Sequence, residues 1–144
     1  MKPHQFLQTV DHEKIVAAIA AAEKRTSAEI RVYVSHRSRA NVLAFANRRF
    51  RKLKMDRTPL RNAVMIFLAP RTHKFAVVGD VAVHAKCGEG FWRGVVAAME
   101  PLLKHGDFTE AILAGVTNVG DVLAEHFPPL SDDRNDLPDA VVEE

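Results

Sequence analysis

The chain has 144 residues, of which 47% are apolar and 26% charged, and a formal net charge of +2. A chain of this length buries roughly two-thirds of its unfolded surface in one core, and the balance excludes the disordered, collagenous and membrane-embedded classes. The apolar run from Ala63 to Pro70 is too short to span a bilayer, and the single Cys87 allows no internal disulfide. The start Met1-Lys2-Pro3-His4 lacks the basic-then-apolar order of a signal peptide, so a cytoplasmic location is expected.

Charge is unevenly spread. Between His36 and Arg57 eight basic residues face only Asp56, a local +7, whereas Ser131 to Glu144 sets six acids against Arg134, a local −5. A domain over 1–130 followed by a flexible acidic tail over 131–144 is the expected organisation, since the tail has too few apolar groups to fold alone.

Asp11 is a suitable cap for a first helix, with Val10 and Ile15 placed as a hydrophobic staple and Ile15, Ile19 and Ala22 on one face. At Ile30 the period changes. Ile30, Val32 and Val34 alternate with Arg31, Tyr33 and Ser35, which predicts a half-covered strand with Glu29 at its mouth. Thr26 and Glu29 have the spacing of a capping box, but the β-branched alternation that follows argues against that use.

A second helix is expected from about Arg39 to Leu53, burying Leu43, Ala46, Phe50 and Leu53 and projecting Arg48, Arg51 and Lys52 outward. After the turn at Arg57-Thr58-Pro59, Ala63 to Ala69 is apolar on both faces, as a central strand covered by helices requires. Pro70 to His73 then turns the chain into Lys74–Gly79, giving a hairpin. Strand, helix and strand over 30–69 form a βαβ unit with the expected right-handed crossover.

A third helix is predicted from Glu89 to Lys104, with Trp92, Val95, Val96, Met99, Leu102 and Leu103 inward and a bend between Ala97 and Pro101, where proline removes a helix bond. A fourth begins at Asp107, with Glu110 as reciprocal cap and Phe108, Ile112, Val116, Val119 and Leu123 as its buried stripe. Gly115 and Gly120 lower its helix propensity by about 1 kcal/mol each, which implies close packing against a neighbouring backbone. The fold class expected is therefore α/β, a three-layer α/β/α sandwich with a mixed central sheet and about four helices.

Three stretches together resemble one family. They are Arg25-Thr26-Ser27-Ala28-Glu29-Ile30-Arg31-Val32, then Arg61-Asn62-Ala63-Val64-Met65-Ile66-Phe67-Leu68 with Lys74 to Asp80, and last His105-Gly106-Asp107-Phe108-Thr109-Glu110-Ala111-Ile112 with Gly115-Val116. Their order and spacing resemble the TPM domain family, also called the TPM phosphatase or thylakoid-lumen-type domain, over about Val10 to Phe127. Asn135-Asp136-Leu137-Pro138-Asp139 is similar to the tail of its small, soluble, free-standing branch. The resemblance implies an α/β/α sandwich, an acidic pocket that in some members holds a divalent cation, calcium foremost, and a weak acid phosphatase activity of plant relatives. This chain carries Arg61-Asn62-Ala63 where anchored relatives carry Asp-Asn-Gly. It carries Gly79-Asp80-Val81 and Cys87-Gly88-Glu89 where they carry Gly-x-Gly and a later aspartate.

Glu29, Asp80 and Glu89 are the acids expected near one sheet edge, where with the Asn62 amide, backbone carbonyls and water they would make an oxygen-rich metal site. The alternative for each is a solvated loop acid, and Glu89 also suits the first turn of its helix. His84 and Cys87 stand one helical turn apart, too few ligands for zinc, so Cys87 is read as partly buried and inert. No nucleophile elbow, P-loop or dinucleotide fingerprint occurs. Three functional classes follow from this: first a binding module for a divalent cation and a protein partner, then a weak metal-dependent phosphatase, and last a nucleic-acid binder acting through the basic helix 39–54, a face better read as solvated and partly neutralised by the acidic tail than as a nucleic-acid contact.

Overall fold

The computed structural model describes residues 11–37, 41–130 and 141–143. Helix α1 (His12–Glu23) starts on Asp11, whose carboxylate accepts the Lys14 amide at 3.0 Å, and buries Ile15, Ile19 and Ala22. Val10, the outer half of the expected staple, lies outside the described residues. Thr26 is no helix cap. Its hydroxyl is buried against the Leu123 and Phe127 carbonyls, at 3.1 and 2.5 Å, and pins the α1–β1 connection to the end of the last helix.

Strand β1 (Ile30–Val34) leads through helix α2 (Val42–Lys52) to strand β2 (Val64–Ala69), which turns back as β3 (Lys74–Gly79). Strands β1 and β2 are parallel, and β2 and β3 antiparallel. A short strand β4 (Val141–Glu143) adds parallel to β1 and makes the order β3-β2-β1-β4. Part of the segment expected to be a free tail is therefore built into the sheet, because Val141 and Val142 supply the apolar pair that an edge strand needs. Whether the acidic stretch meets the basic helix lies outside the described residues.

Helices α1, α3 (Val81–Lys104) and α4 (Phe108–His126) cover the face carrying Ile30, Val32, Val34, Val64, Ile66 and Leu68. Helix α2 covers the other, packing Val42, Phe45, Ala46 and Phe50 on Tyr33, Met65, Phe67 and Val78. Two corrections follow. Strand β1 is buried along its whole length and not half-covered, since α2 lies over its second face. The buried stripe of α2 runs through Val42 and Phe45, while Leu43 is 55% exposed, because the helix is turned so that its aromatic side chains meet the sheet.

Helix α3 begins eight residues earlier than expected, at Val81, and its one residue with non-helical dihedrals is Gly88 at φ 72°, not Pro101. Glycine adopts that left-handed value without a Cβ clash, so the chain redirects there and resumes at Glu89. Pro101 and Ala97 lie on the solvent side, where a missing helix bond is tolerated, and Val96 is also outward at 40% exposure. Gly106, at φ 80°, closes α3 through two bonds, from its own amide to the Leu103 carbonyl and from the Asp107 amide to the Leu102 carbonyl, both 3.0 Å. Asp107 makes no side-chain cap, so the expected reciprocal pair with Glu110 does not form. The α4 stripe is buried as expected, and its glycines sit where a Cβ would fall 2.6 Å from Met99 Sδ (Gly115) and 2.9 Å from Ala22 Cβ (Gly120).

Candidate functional site

The strand register brings the separated acids to one rim. Ile30 pairs with Val64, which pairs with Gly79, so Glu29, Ala63 and Asp80 stand side by side one step earlier. The Val64 amide donates to the Glu29 carbonyl at 2.8 Å, and the Asp80 amide to the Ala63 carbonyl at 3.0 Å. Glu29 and Asp80 are thus two strand spacings apart, about 10 Å, and each is only 5% exposed.

Asp80 is held by a clamp. Arg61 Nε and Nη2 donate to its two carboxylate oxygens at 2.7 and 3.0 Å, and the Val81 amide donates to Oδ1 at 2.8 Å as α3 begins. Arg61 reaches this position from a backbone φ of 52°, unusual for a side chain with a Cβ. The hydrogen bonds and charge of Asp80 raise the Arg61 pKa against the opposing effect of burial, with a lesser contribution from Asp56. A cation bound to Asp80 would have to displace this guanidinium.

Glu29 lies in a second setting. With Ser27, Thr58, Leu60, Asn62 and Leu130 it lines a cavity of about 50 Å³, room for one water molecule or one ion. Asn62 is 1% exposed, with Nδ2 within 3.5 Å of Ser27 Oγ. Thr58 Oγ1 is buried with no hydrogen-bond partner among the described residues. Beside the cavity, burial lowers the pKa of Arg31, and the charges of Glu23 and Glu29 work against that shift. Glu23 is committed to the backbone, Oε2 accepting the Ile30 amide at 2.7 Å.

Of the four expected metal ligands, Glu29 and Asn62 share the cavity, Asp80 is on the same rim in the grip of Arg61, and Glu89 is an exposed residue of α3 just past Gly88. Among the described residues no three His, Cys, Asp or Glu side chains converge as a metal group. The donors in the cavity are hard oxygens of the kind calcium prefers, with one carboxylate among them; the oxygens of Asp80 do not fit a metal while Arg61 holds them. His84 is exposed with its ring 4.8 Å from that of Trp92, and Cys87 packs half-buried against the main core.

Sequence reasoning missed Thr58 and Ser27, which enter the cavity only through the loop closures at 25–29 and 57–62. It also missed the apolar surroundings. Among the described residues, three of the five exposed large hydrophobic side chains gather at this rim: Leu60 at 43%, Val81 at 58% and Leu130 at 51% exposure. Leu60 and Leu130 edge the same cavity, and the Ala82 amide donates to the Arg61 carbonyl at 3.1 Å, placing Val81 beside Arg61.

Comparison with known proteins agrees with this architecture. The TPM domain family model matches residues 1–122. The NMR structure of the BA42 protein from the psychrophilic bacterium Bizionia argentinensis is similar at a TM-score of 0.86 and 34% identity, over 92% of each chain. The N-terminal domain of the cg2496 protein from Corynebacterium glutamicum, at 12% identity and a TM-score of 0.55, covers 100% of this chain and 81% of its own, and shares the fold. No curated protein matches the chain. Among the described residues no helix is long and apolar enough to cross a membrane. The matched family model and the BA42 likeness establish that this chain belongs to the TPM domain family.

Proposed function

We propose that the chain is a binding module whose working surface is the rim around Glu29 and Asp80, with another protein as the partner and a single cation as an accessory in the Glu29 cavity. The observation that carries this reading is the exposure of Leu60 and Leu130 at the edge of the cavity and of Val81 beside the Arg61–Asp80 pair on the same rim, since apolar side chains left in water beside fixed polar groups are the usual mark of an interaction site. The accessory cation rests on the donor set of Ser27, Glu29, Thr58 and Asn62. One carboxylate supplies a weak attraction, so binding should be in the range of loose, exchangeable calcium sites.

Calcium titration followed by backbone amide shifts tests the accessory site. Shifts at Ser27, Glu29, Thr58 and Asn62 that are lost in Glu29→Gln support it, and a flat response removes it. The phosphatase reading makes a different demand: phosphomonoester turnover with calcium, magnesium or manganese that falls in both Glu29→Gln and Asp80→Asn.

A second reading draws on the exposed Arg48, Arg51, Lys52, Lys54 and Arg57 of α2 and the turn after it. None of them has an ion pair with a described residue, and Arg48 stands 5.6 Å over the Phe45 ring, so a run of positive charge faces outward, as phosphate binding requires. A salt-sensitive gel shift abolished by Arg48→Glu with Arg51→Glu is its test.

A further inference from the structure

We propose that Arg61 is an anchor for an acidic group of the partner, so that the rim takes a peptide segment in which a carboxylate lies beside an aliphatic side chain. This inference rests on the reading of the rim as a protein-binding surface and adds the chemistry of what binds there.

Three observations carry it. Arg61 is fixed without being used up. A guanidinium has five N–H donors; Asp80 takes the Nε proton and one Nη2 proton, which leaves both Nη1 protons and one on Nη2. The side chain is still 48% exposed, so these remaining donors are accessible. Asp80 is buried and also caps α3, which holds the guanidinium plane in one orientation before any partner arrives, and an arginine ordered in advance gives up less entropy on binding a carboxylate.

The charges of the rim are layered. Its carboxylates, Glu29 and Asp80, are buried, while among the described residues the exposed charges of the loop before β2 are cationic, Lys54, Arg57 and Arg61, with the half-buried Asp56 as the one acid between them. An incoming group therefore meets positive charge first, which favours an acidic partner over a basic one.

Apolar positions adjoin the anchor. Leu60 precedes Arg61 in sequence, and Val81 is held beside it through the Ala82 to Arg61 backbone bond. A ligand with only charge would leave Leu60, Val81 and Leu130 wet, and one with only apolar groups would leave the Arg61 donors covered and unpaired, which costs more than it gains. An aspartate, glutamate or terminal carboxylate next to leucine, isoleucine or valine satisfies both.

The test is to pan a phage-displayed library of random peptides against the full chain and to measure the enriched peptides by titration. Enriched peptides should carry an acidic residue or free C-terminus beside an aliphatic one. Their affinity should fall at least tenfold in Arg61→Gln and in Leu60→Ser with Val81→Ser, and stay unchanged in Arg71→Gln, an exposed arginine in the turn after β2. Arg61→Lys, which keeps the charge and loses the fork, should retain the preference for acids at reduced affinity. Peptides that bind the rim, as shown by the Leu60 and Val81 variants, but lack an acid or ignore Arg61→Gln would overturn the anchor and leave the docking surface standing. Peptides indifferent to Leu60, Val81 and Arg61, or no enrichment at all, would overturn both.

Discussion

Arg61 grips both carboxylate oxygens of Asp80, at 2.7 and 3.0 Å, from a left-handed backbone position with φ 52°. The pair joins the loop before β2 to the first turn of α3 at the place where the family resemblance leads one to expect a bound cation. The guanidinium supplies positive charge there, tethered by its own chain.

This clamp predicts a pattern of stabilities. Asp80→Ala removes the bond to the Val81 amide and strands Arg61, and should lower stability by about 1–2 kcal/mol. Arg61→Gln should also destabilise, and more than Arg61→Gly, because glycine adopts the positive φ freely. The double variant Asp80→Ala with Arg61→Gln should lose less than the sum of its singles, since both remove one interaction. Urea unfolding of the parent and these four variants measures this, and strict additivity of Asp80→Ala and Arg61→Gln would contradict the clamp.

Gly120 and Gly115 should differ when a methyl group is added. At Gly120 the new Cβ meets Ala22 Cβ at 2.9 Å with that residue's Cα behind it at 3.7 Å, so nothing flexible can move aside. The gain in helix propensity, about 1 kcal/mol, is then outweighed by overpacking of about 1–3 kcal/mol, and Gly120→Ala should lower the melting temperature. At Gly115 the closest neighbour is the thioether of Met99, at 2.6 Å, which can rotate away, so Gly115→Ala should lose less. The reverse order would show that the α1–α4 contact is looser than described.

Cys87 should behave as a protected thiol. Burial, with help from Glu125 and opposed by Lys86, raises its pKa. The folded chain then holds its proton where the unfolded chain has released it. That contribution to stability is complete below the ordinary thiol value of about 8.5 and is lost as pH rises through the folded value. Urea midpoints should therefore fall more between about pH 8 and pH 10 in the parent than in Cys87→Ala. Iodoacetamide at about pH 8 should alkylate the folded chain more slowly than the same chain in urea. Equal rates would place the thiol in solvent.

The layers of the fold were legible because they rest on local periodicity. Ile15 and Ile19, the uninterrupted apolar run of β2 and the Phe108 to Leu123 stripe each state their burial in neighbouring residues. Leu43 misled because Leu43 and Val42 are both plausible inward residues at the start of α2, and only the positions of Tyr33 and Phe67 across the layer decide between them. The break at Gly88 was hidden for a similar reason: Pro101 carries the stronger helix-breaking signature, but it falls on the solvent side. At the rim, the nearness of Glu29 and Asp80 follows from strand pairing and could be read in advance. The clamp and the cavity could not, since Arg61 and Asp80 are 19 positions apart and Thr58 and Leu130 meet only after the chain has folded back.

Amide-shift mapping of the full chain with isovalerate, a branched aliphatic carboxylate that combines both features asked of the partner, decides whether Arg61 anchors an acid at the rim. Saturable shifts are expected at Leu60, Arg61, Asn62, Val81, Ala82 and Leu130, absent with the uncharged isoamyl alcohol at the same concentration. Shifts gathered instead on Arg48, Arg51 and Lys52 of α2, or a rim that responds equally to the alcohol, would contradict the anchor.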